Sequence, residues 1–264
     1  MGVCYRNSDV GPLIRAVRSI LGQTFSDFEL LVCDDGSVPK ASAVLDVLAG
    51  QDARIRLVRH GEKRTLPQKL NFCLHFSRGE YIARMDDDDC SMSDRFEKQL
   101  SFLSAHQEYA FAGCNVSLIR DGKKIGRWIL PKAPVKKDFL FVQPFIHPTL
   151  IFRKEALLAV GGYSEDKYCV LCEDYDLLLR LYQKGYAGYN LQEILFEYTL
   201  PPVGTSKRKY RHRINEAVTR YRRFRAAGLL PKGIPYVLKP LIVGLLPESV
   251  LERMRKKRNG RNSP

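Results

Sequence analysis

Tyr81-Ile82-Ala83-Arg84-Met85-Asp86-Asp87-Asp88-Asp89 is a short, largely apolar run that ends in four consecutive carboxylates. The apolar part has the length and composition of a buried strand. Adjacent aspartates repel one another, so a protein keeps four of them at a strand end only where solvent or a cation relieves the repulsion. In extended backbone, residues two apart face the same way, which lets Asp86 and Asp88 point together. Mg2+ and Mn2+ take oxygen ligands, commonly one or two carboxylates together with substrate phosphate oxygens. The spacing therefore predicts a metal–diphosphate clamp; the bland alternative is a solvated acidic loop.

Working outward, the same alternation of helix and strand recurs. Residues 12–23 place Leu13, Ile14, Val17, Ile20 and Leu21 on one helical face with Arg15 and Arg18 opposite. Glu29–Cys33 is a continuous apolar strand that ends in Asp34-Asp35-Gly36-Ser37, a turn signal. Ala41–Leu48 reads as helix, Ile55–Val58 as strand and Leu66–Phe76 as helix. This order predicts an α/β fold with a mainly parallel central sheet flanked by helices. Ligands of such sheets bind beyond the carboxyl ends of strands, where both acidic turns lie. From about residue 110 the pattern becomes mixed. Ala110–Gly113 and Val116–Arg120 are strand-like, Asp121-Gly122 signals a hairpin into Ile125–Ile129, and Thr149–Phe152 is a further strand. Gly161-Gly162 breaks the chain, and Asp174–Lys184 reads as a helix.

The charge is divided unevenly. Of 264 residues, 1–200 carry 26 Lys and Arg against 26 Asp and Glu, whereas 201–264 carry 17 against 3, so the entire net charge of +14 lies in the second segment. The boundaries expected are a catalytic domain over 1–200 and a basic, amphipathic helical tail over 201–264. The tail opens on Lys207-Arg208-Lys209-Tyr210-Arg211-His212-Arg213, continues as a helix to about Ala227, and then carries an apolar stretch over Ile234–Met254 that closes on Arg253, Arg255, Lys256, Lys257 and Arg258. Apolar residues flanked by cations predict a segment that lies on an anionic membrane surface. No run of about 18 apolar residues is present, which excludes a spanning helix, and no secretory signal precedes the first motif. Seven scattered cysteines in apolar surroundings predict a reduced, cytoplasmic protein, with Cys169-Val-Leu-Cys172 an incidental pair.

Other residues have the chemistry to join the aspartates. Asp34 and Asp35 can accept hydrogen bonds from a nucleobase or ribose. Glu173-Asp174 opens a helix, where carboxylates serve as caps or as a general base that deprotonates an attacking hydroxyl. His147 is a candidate for the acceptor or phosphate side, although a lone histidine is more often structural. Lys63, Arg64, Lys69 and the 207–213 cluster, Arg208 included, are candidates to neutralise a diphosphate.

Taken together, Ser19–Leu30, Asp34-Asp35-Gly36-Ser37, Gly79-Glu80-Tyr81-Ile82 with the aspartates, and Glu173-Asp174-Tyr175-Asp176-Leu177 resemble the family 2 inverting glycosyltransferases of the GT-A fold. The resemblance covers roughly residues 1–200 and is specific in the order and spacing of its motifs. It implies a Rossmann-like domain and a single displacement, in which an acceptor hydroxyl attacks the anomeric carbon of a nucleotide-sugar, usually UDP-linked. Matched residue by residue, it implies that Asp35 binds the base, that Asp86 and Asp88 form the Asp-x-Asp motif with Asp88 on Mn2+ or Mg2+, and that Asp174 is the general base with Glu173 as its substitute. Together with the basic tail it implies peripheral attachment at the inner face of the plasma membrane, a glycan or polyprenyl-diphosphate-linked acceptor, a role in bacterial cell-surface polysaccharide synthesis, and no nucleic-acid partner.

Two departures from the family pattern stand out. The first strand is reduced to Met1-Gly2-Val3-Cys4, which puts the base pocket near Tyr5 in question. The Gln-x-x-Arg-Trp motif of processive synthases is absent, which favours transfer of one sugar per acceptor. Two other readings compete. A sugar-1-phosphate nucleotidyltransferase shares the acidic site but needs a glycine-rich phosphate loop where Tyr5-Arg6-Asn7-Ser8-Asp9 stands. A non-catalytic module on membrane or RNA is favoured by the basic tail and the shortened first strand, with Tyr210, Tyr221 and Phe224 among arginines able to stack on bases, but no recognised nucleic-acid motif is present.

Overall fold

The computed structural model describes residues 1–3, 5, 9–59, 64–202, 209–246 and 250. Its first half is a layered α/β unit. Strand β1 (Gly2–Val3), helix α1 (Gly11–Leu21), strand β2 (Leu30–Asp34), helix α2 (Pro39–Gln51), strand β3 (Ile55–Val58) and helix α3 (Leu66–Phe76) follow one another, and the three strands pair in parallel in the order β1-β2-β3. Strand β2 is buried along its whole length, as a continuous apolar run between helical layers must be. Helix α1 turns Leu13, Ala16, Val17 and Ile20 inward. The short first strand keeps its place: Gly2 and Val3 pair with Cys33 and Asp34, and the Met1 amino group donates to the Leu31 carbonyl at 2.7 Å.

The second sheet is built from β4 (Tyr81–Ala83), β5 (Cys90–Ser91), β6 (Tyr109–Arg120), β7 (Lys123–Trp128), β8 (Ile151–Arg153) and β9 (Ala187–Thr199), with helices α4 (Arg95–Ala105), α5 (Lys154–Ala159) and α6 (Glu173–Gln183) between them. Its order is β4-β8-β6-β9-β5, with β7 also paired to β6. Only β6 and β9 are parallel; β4–β8, β5–β9, β6–β7 and β6–β8 are antiparallel. The sheet is thus mixed, as the change of pattern after about residue 110 predicts, while the helix–strand alternation before it gives the all-parallel β1-β2-β3. Parallel neighbours each need a crossover, and beyond β4 the chain instead makes the hairpin at Asp121-Gly122 and returns along β8.

Strand β6 joins the two runs, 110–113 and 116–120, that read separately in the sequence. The interval between them is where its register against β9 shifts, and there the Asn115 side chain accepts the Leu130 amide at 2.8 Å. Helix α4 and strand β9 had no counterpart in the sequence reading.

The basic segment supplies α7 (Tyr210–Ala226) and α8 (Ile234–Gly244). Neither stands apart from the body. Phe224 is fully buried in the same apolar cluster as Phe139, Phe152, Leu177 and Leu181. Asp176 of α6, also buried, accepts from Arg180 at 2.7 Å and from Arg223 of α7, while Arg220 donates to the Leu140 carbonyl at 3.0 Å. Lys63, Lys207, Arg208 and the closing cations 253–258 lie outside the described residues. Among the described residues no helix is long and apolar enough to cross a membrane.

Because Phe224 fills the junction of body and basic helices, Phe224→Ala should cost about 3–5 kcal/mol of stability. Urea unfolding of the full chain measures this; an unchanged midpoint would show that α7 is not part of the folding unit.

Candidate active site

Strand β4 stops at Ala83, and the chain leaves the sheet through Arg84 and Met85, both buried, before it reaches the aspartates. The Arg84 amide is held by the Leu150 carbonyl at 2.8 Å. Its guanidinium donates to the Met85 carbonyl and to the Asp86 carboxylate. Burial works against the Arg84 charge, but Asp86, Tyr163 and Asp87 outweigh it and raise its pKa. A cation therefore sits permanently beneath the acidic turn.

The four aspartates have different fates. Asp89 is 1% exposed and accepts the Thr199 amide of β9 at 2.7 Å, while the Thr199 hydroxyl donates to the Asp88 carbonyl at 2.7 Å. These bonds fasten the turn to β9, and burial, then Asp86, pushes the Asp89 pKa well above the carboxylate range. Asp87 is pushed up to about 6 by burial and then by Asp88 and Asp86. Asp86 keeps a third of its side chain exposed.

Crowded negative charge and an all-oxygen donor set suit a hard divalent cation. Among the described residues no three His, Cys, Asp or Glu side chains converge on one point, so such an ion would take a small number of protein ligands and complete its shell elsewhere.

The turn is electrostatically continuous with the first turn of α6, more than eighty residues later in the chain. Glu173, 8% exposed, is raised to about 7 by burial and then by Asp174, with Asp86 adding to the rise and Arg84 opposing it. The Tyr198 hydroxyl of β9 is raised by burial and then by Asp86, Asp89, Asp174 and Asp88. Asp174 is half-buried; its Oδ1 accepts the Tyr175 amide at 2.8 Å and its Oδ2 accepts from Gln143 Nε2 at 3.0 Å. Asp86, Asp88, Glu173 and Asp174 thus share one neighbourhood with Arg84.

The second acidic turn closes the other side. Asp34 and Asp35, at the end of β2, are 4% and 2% exposed. Asp34 Oδ2 accepts from Ser42 at 2.8 Å and Arg59 at 3.3 Å, whereas its Oδ1 is buried with no hydrogen-bond partner among the described residues. Tyr5 is buried beside them: its amide donates to Ser37 at 2.9 Å, its hydroxyl to the Asp9 carbonyl at 2.8 Å, and its pKa is raised by burial and then by Asp87. That coupling brings the two acidic turns to a common site.

Two predicted cations are placed differently from expectation. Lys69 is 2% exposed, and its ammonium donates to the Val3 carbonyl and, at 3.0 Å, to the Asp35 carbonyl. Committed to backbone oxygens, it shapes the Asp35 turn from beneath and does not face a diphosphate. Arg64 stacks over Phe72, 4.6 Å from its centroid. His147 is also buried, 2.7 Å from the Tyr163 hydroxyl, and burial followed by Arg84 holds its pKa well below the usual range. It is a neutral imidazole behind Arg84, not an open acceptor contact.

Arg84, Gln143, Tyr163 and Tyr198 were not singled out from the sequence. A charged residue inside an otherwise apolar strand was the signal for Arg84; Gln143 in its loop offers none.

The family model for Glycosyl transferase family 2 matches residues 2–159. The chain belongs to that family. Among its relatives, the putative glycosyltransferase EpsE of Bacillus subtilis is 33% identical over 93% of this chain and 89% of its own length. The UDP-Gal:alpha-D-GlcNAc-diphosphoundecaprenol beta-1,3-galactosyltransferase of Escherichia coli is 27% identical over 93% and 90%. The fold matches that of S. aureus TarS, solved with UDP-GlcNAc, at a TM-score of 0.66 with 13% identity over 86% of this chain and 69% of that one. It also matches the mannosyltransferase PcManGT of Pyrobaculum calidifontis, solved with GDP-Man and Mn2+, at 0.61 with 18% identity over 97% and 78%. This family 2 glycosyltransferase has the GT-A fold and is an enzyme, so the readings as a nucleotidyltransferase and as a non-catalytic module fall.

The raised Glu173 pKa carries a stability signature. Between the ordinary value of 4.5 and about 7 the folded state binds the extra proton, so this contribution to stability is lost as pH rises through that window. Glu173→Gln, which imitates the protonated form, should raise the melting temperature at pH 8 and leave it nearly unchanged at pH 4.5. Equal shifts at both pH values would contradict the placement of Glu173.

Proposed function

We propose that this family 2 glycosyltransferase is a metal-dependent, inverting enzyme that moves one sugar from a nucleotide-sugar, UDP-linked, to a hydroxyl of a lipid-linked or glycan acceptor in cell-surface polysaccharide synthesis. The observation that carries the reading is the convergence of the 86–88 turn and the 173–174 pair around Arg84. It sets a site for a charged leaving group beside a carboxylate able to accept a proton, which is what displacement at an anomeric carbon requires.

In this reading Asp35 and the unpartnered Asp34 oxygen receive the base and ribose, with Tyr5 as a wall and Lys69 as a positioning residue under the turn. Asp88 and Asp86 hold Mn2+ or Mg2+, which when bound neutralises charge on the departing diphosphate. Arg84 holds Asp86 in place through their ion pair. Asp174, fixed by Gln143 and the Tyr175 amide, takes the proton of the attacking hydroxyl. Glu173 is the fallback base.

Support for the donor and metal comes from the ligands named with TarS and PcManGT, and support for a polyprenyl-diphosphate-linked acceptor from the Escherichia coli galactosyltransferase. The basic segment supports a peripheral location at the inner face of the plasma membrane.

A panel of nucleotide-sugars incubated with the protein and Mn2+ or Mg2+ tests the reading through release of nucleoside diphosphate. One donor should turn over; release from none, with a lipid extract supplied as acceptor, would overturn it. Asp88→Asn should lower turnover by on the order of 10²-fold or more, and Asp174→Asn by about 10²–10⁴-fold, each with an unchanged circular dichroism spectrum. Full activity in either variant removes the role assigned to that residue.

A further inference from the structure

Helix α8 is inverted relative to an ordinary surface helix. Only Val237 and Pro240 of its residues are buried, whereas Ile234, Leu238, Ile242 and, just beyond its end, Leu245 are 39%, 47%, 60% and 74% exposed. Their spacing of four, four and three places them on one face. Helix α7 adds a second exposed row, Tyr210, Ile214 and Tyr221, each about 45% exposed. Between the helices lies an open, mostly apolar groove of about 710 Å³ with Arg222 and Arg225 among its lining residues. Over residues 209–246 the sequence holds nine Lys and Arg against one Glu; Arg220 and Arg223 face the body and Arg222 pairs with Asp166 at 2.9 Å, which leaves the others to the surface. A contiguous apolar surface of this kind marks an interaction site, and its setting of cations selects an anionic partner.

The face is joined to the catalytic base. Lys239 of α8 donates to the Phe141 carbonyl at 2.8 Å and lies 3.4 Å from the Phe141 ring centroid. Phe141 and Val142 are themselves 58% and 44% exposed, which extends the apolar surface onto this loop. The next residue, Gln143, holds Asp174.

We infer that the α7–α8 face, continued by Phe141–Val142, docks on an anionic lipid bilayer and that the 141–143 loop thereby holds Asp174 at the level of the headgroups, where the hydroxyl of a lipid-linked acceptor resides. Aliphatic side chains enter the interface, tyrosines sit at its polar boundary, and the cations meet lipid phosphates. The placement of Asp174 relative to lipid deepens the function proposed above and rests on it; the docking surface does not.

Flotation of the full chain with phosphatidylcholine vesicles, with and without about one third phosphatidylglycerol, tests the inference. The protein should float with the anionic vesicles only, and less as salt rises from about 0.1 to 0.5 M. Leu238→Glu/Ile242→Glu should lower binding about tenfold or more, whereas Val47→Glu, at an exposed position on α2, should not. Both variants should keep the wild-type melting temperature and donor hydrolysis without lipid, and only the double variant should lose transfer to a membrane-embedded acceptor. Wild-type flotation by the double variant, or salt-independent binding to neutral vesicles, would overturn the docking face. So would a dimer in light scattering that the double variant dissolves, since the occupant would then be a second copy. Flotation without nucleoside diphosphate release from any donor would leave the docking face standing and remove the transferase reading.

Discussion

The site depends on one buried cation. Asp86, Asp87 and Asp89 lie within a few residues of one another, two of them largely withdrawn from water, and their repulsion would drive the turn apart or leave it protonated. Arg84 opposes this from inside the sheet. Its amide belongs to the strand pairing with the segment at Leu150, and its guanidinium bends over the Met85 carbonyl to reach Asp86. Burial of a guanidinium is unfavourable unless it is closely paired, so the cation and the turn stabilise each other, and neither has an obvious substitute. Glu173, His147 and Tyr163 all feel the same charge. One buried cation thus reaches both the acidic turn and the first turn of α6.

Local pattern sufficed wherever an element's identity is decided by its own residues. The bounds read for β3 and α3 agree with the structure because apolar runs and a helical stripe bounded by Thr65 and Ser77 are local signals. Strand β9 was invisible for the opposite reason. Gln192 and Glu193 interrupt its apolar run, yet β6 and β5 pair with it and supply the backbone partners that its composition does not advertise. Helix α4 begins on Arg95, a charged residue that is fully buried over Phe96 and Phe196, and burial lowers its pKa to about 10. No periodicity rule assigns such a residue to the core.

The chemistry was legible in residue type and spacing more than in role. Asp86 and Asp88 could be paired from extended geometry, whereas the work of Asp89 is defined by Thr199, 110 positions away. Lys69 shows the same limit. Its charge suggested phosphate, although it lies on the α3 face of Leu70, Cys73 and Leu74, and that inward stripe already pointed beneath the sheet. Gln143 acquires meaning only through a partner 31 positions later.

The link between α6 and α7 bears on how this enzyme can be taken apart. Asp176 stands two residues from Asp174 and is neutralised by one arginine of its own helix and one of the basic segment. Cutting the chain before residue 209 would remove Arg223 and Phe224 together, leaving α6 with a half-compensated buried carboxylate and an uncovered apolar wall. The segment that reads as an appendage is therefore not interchangeable between enzymes as a cassette: any partner grafted in its place must return a cation to Asp176, and natural variation at 176 and 223 is expected to move in concert.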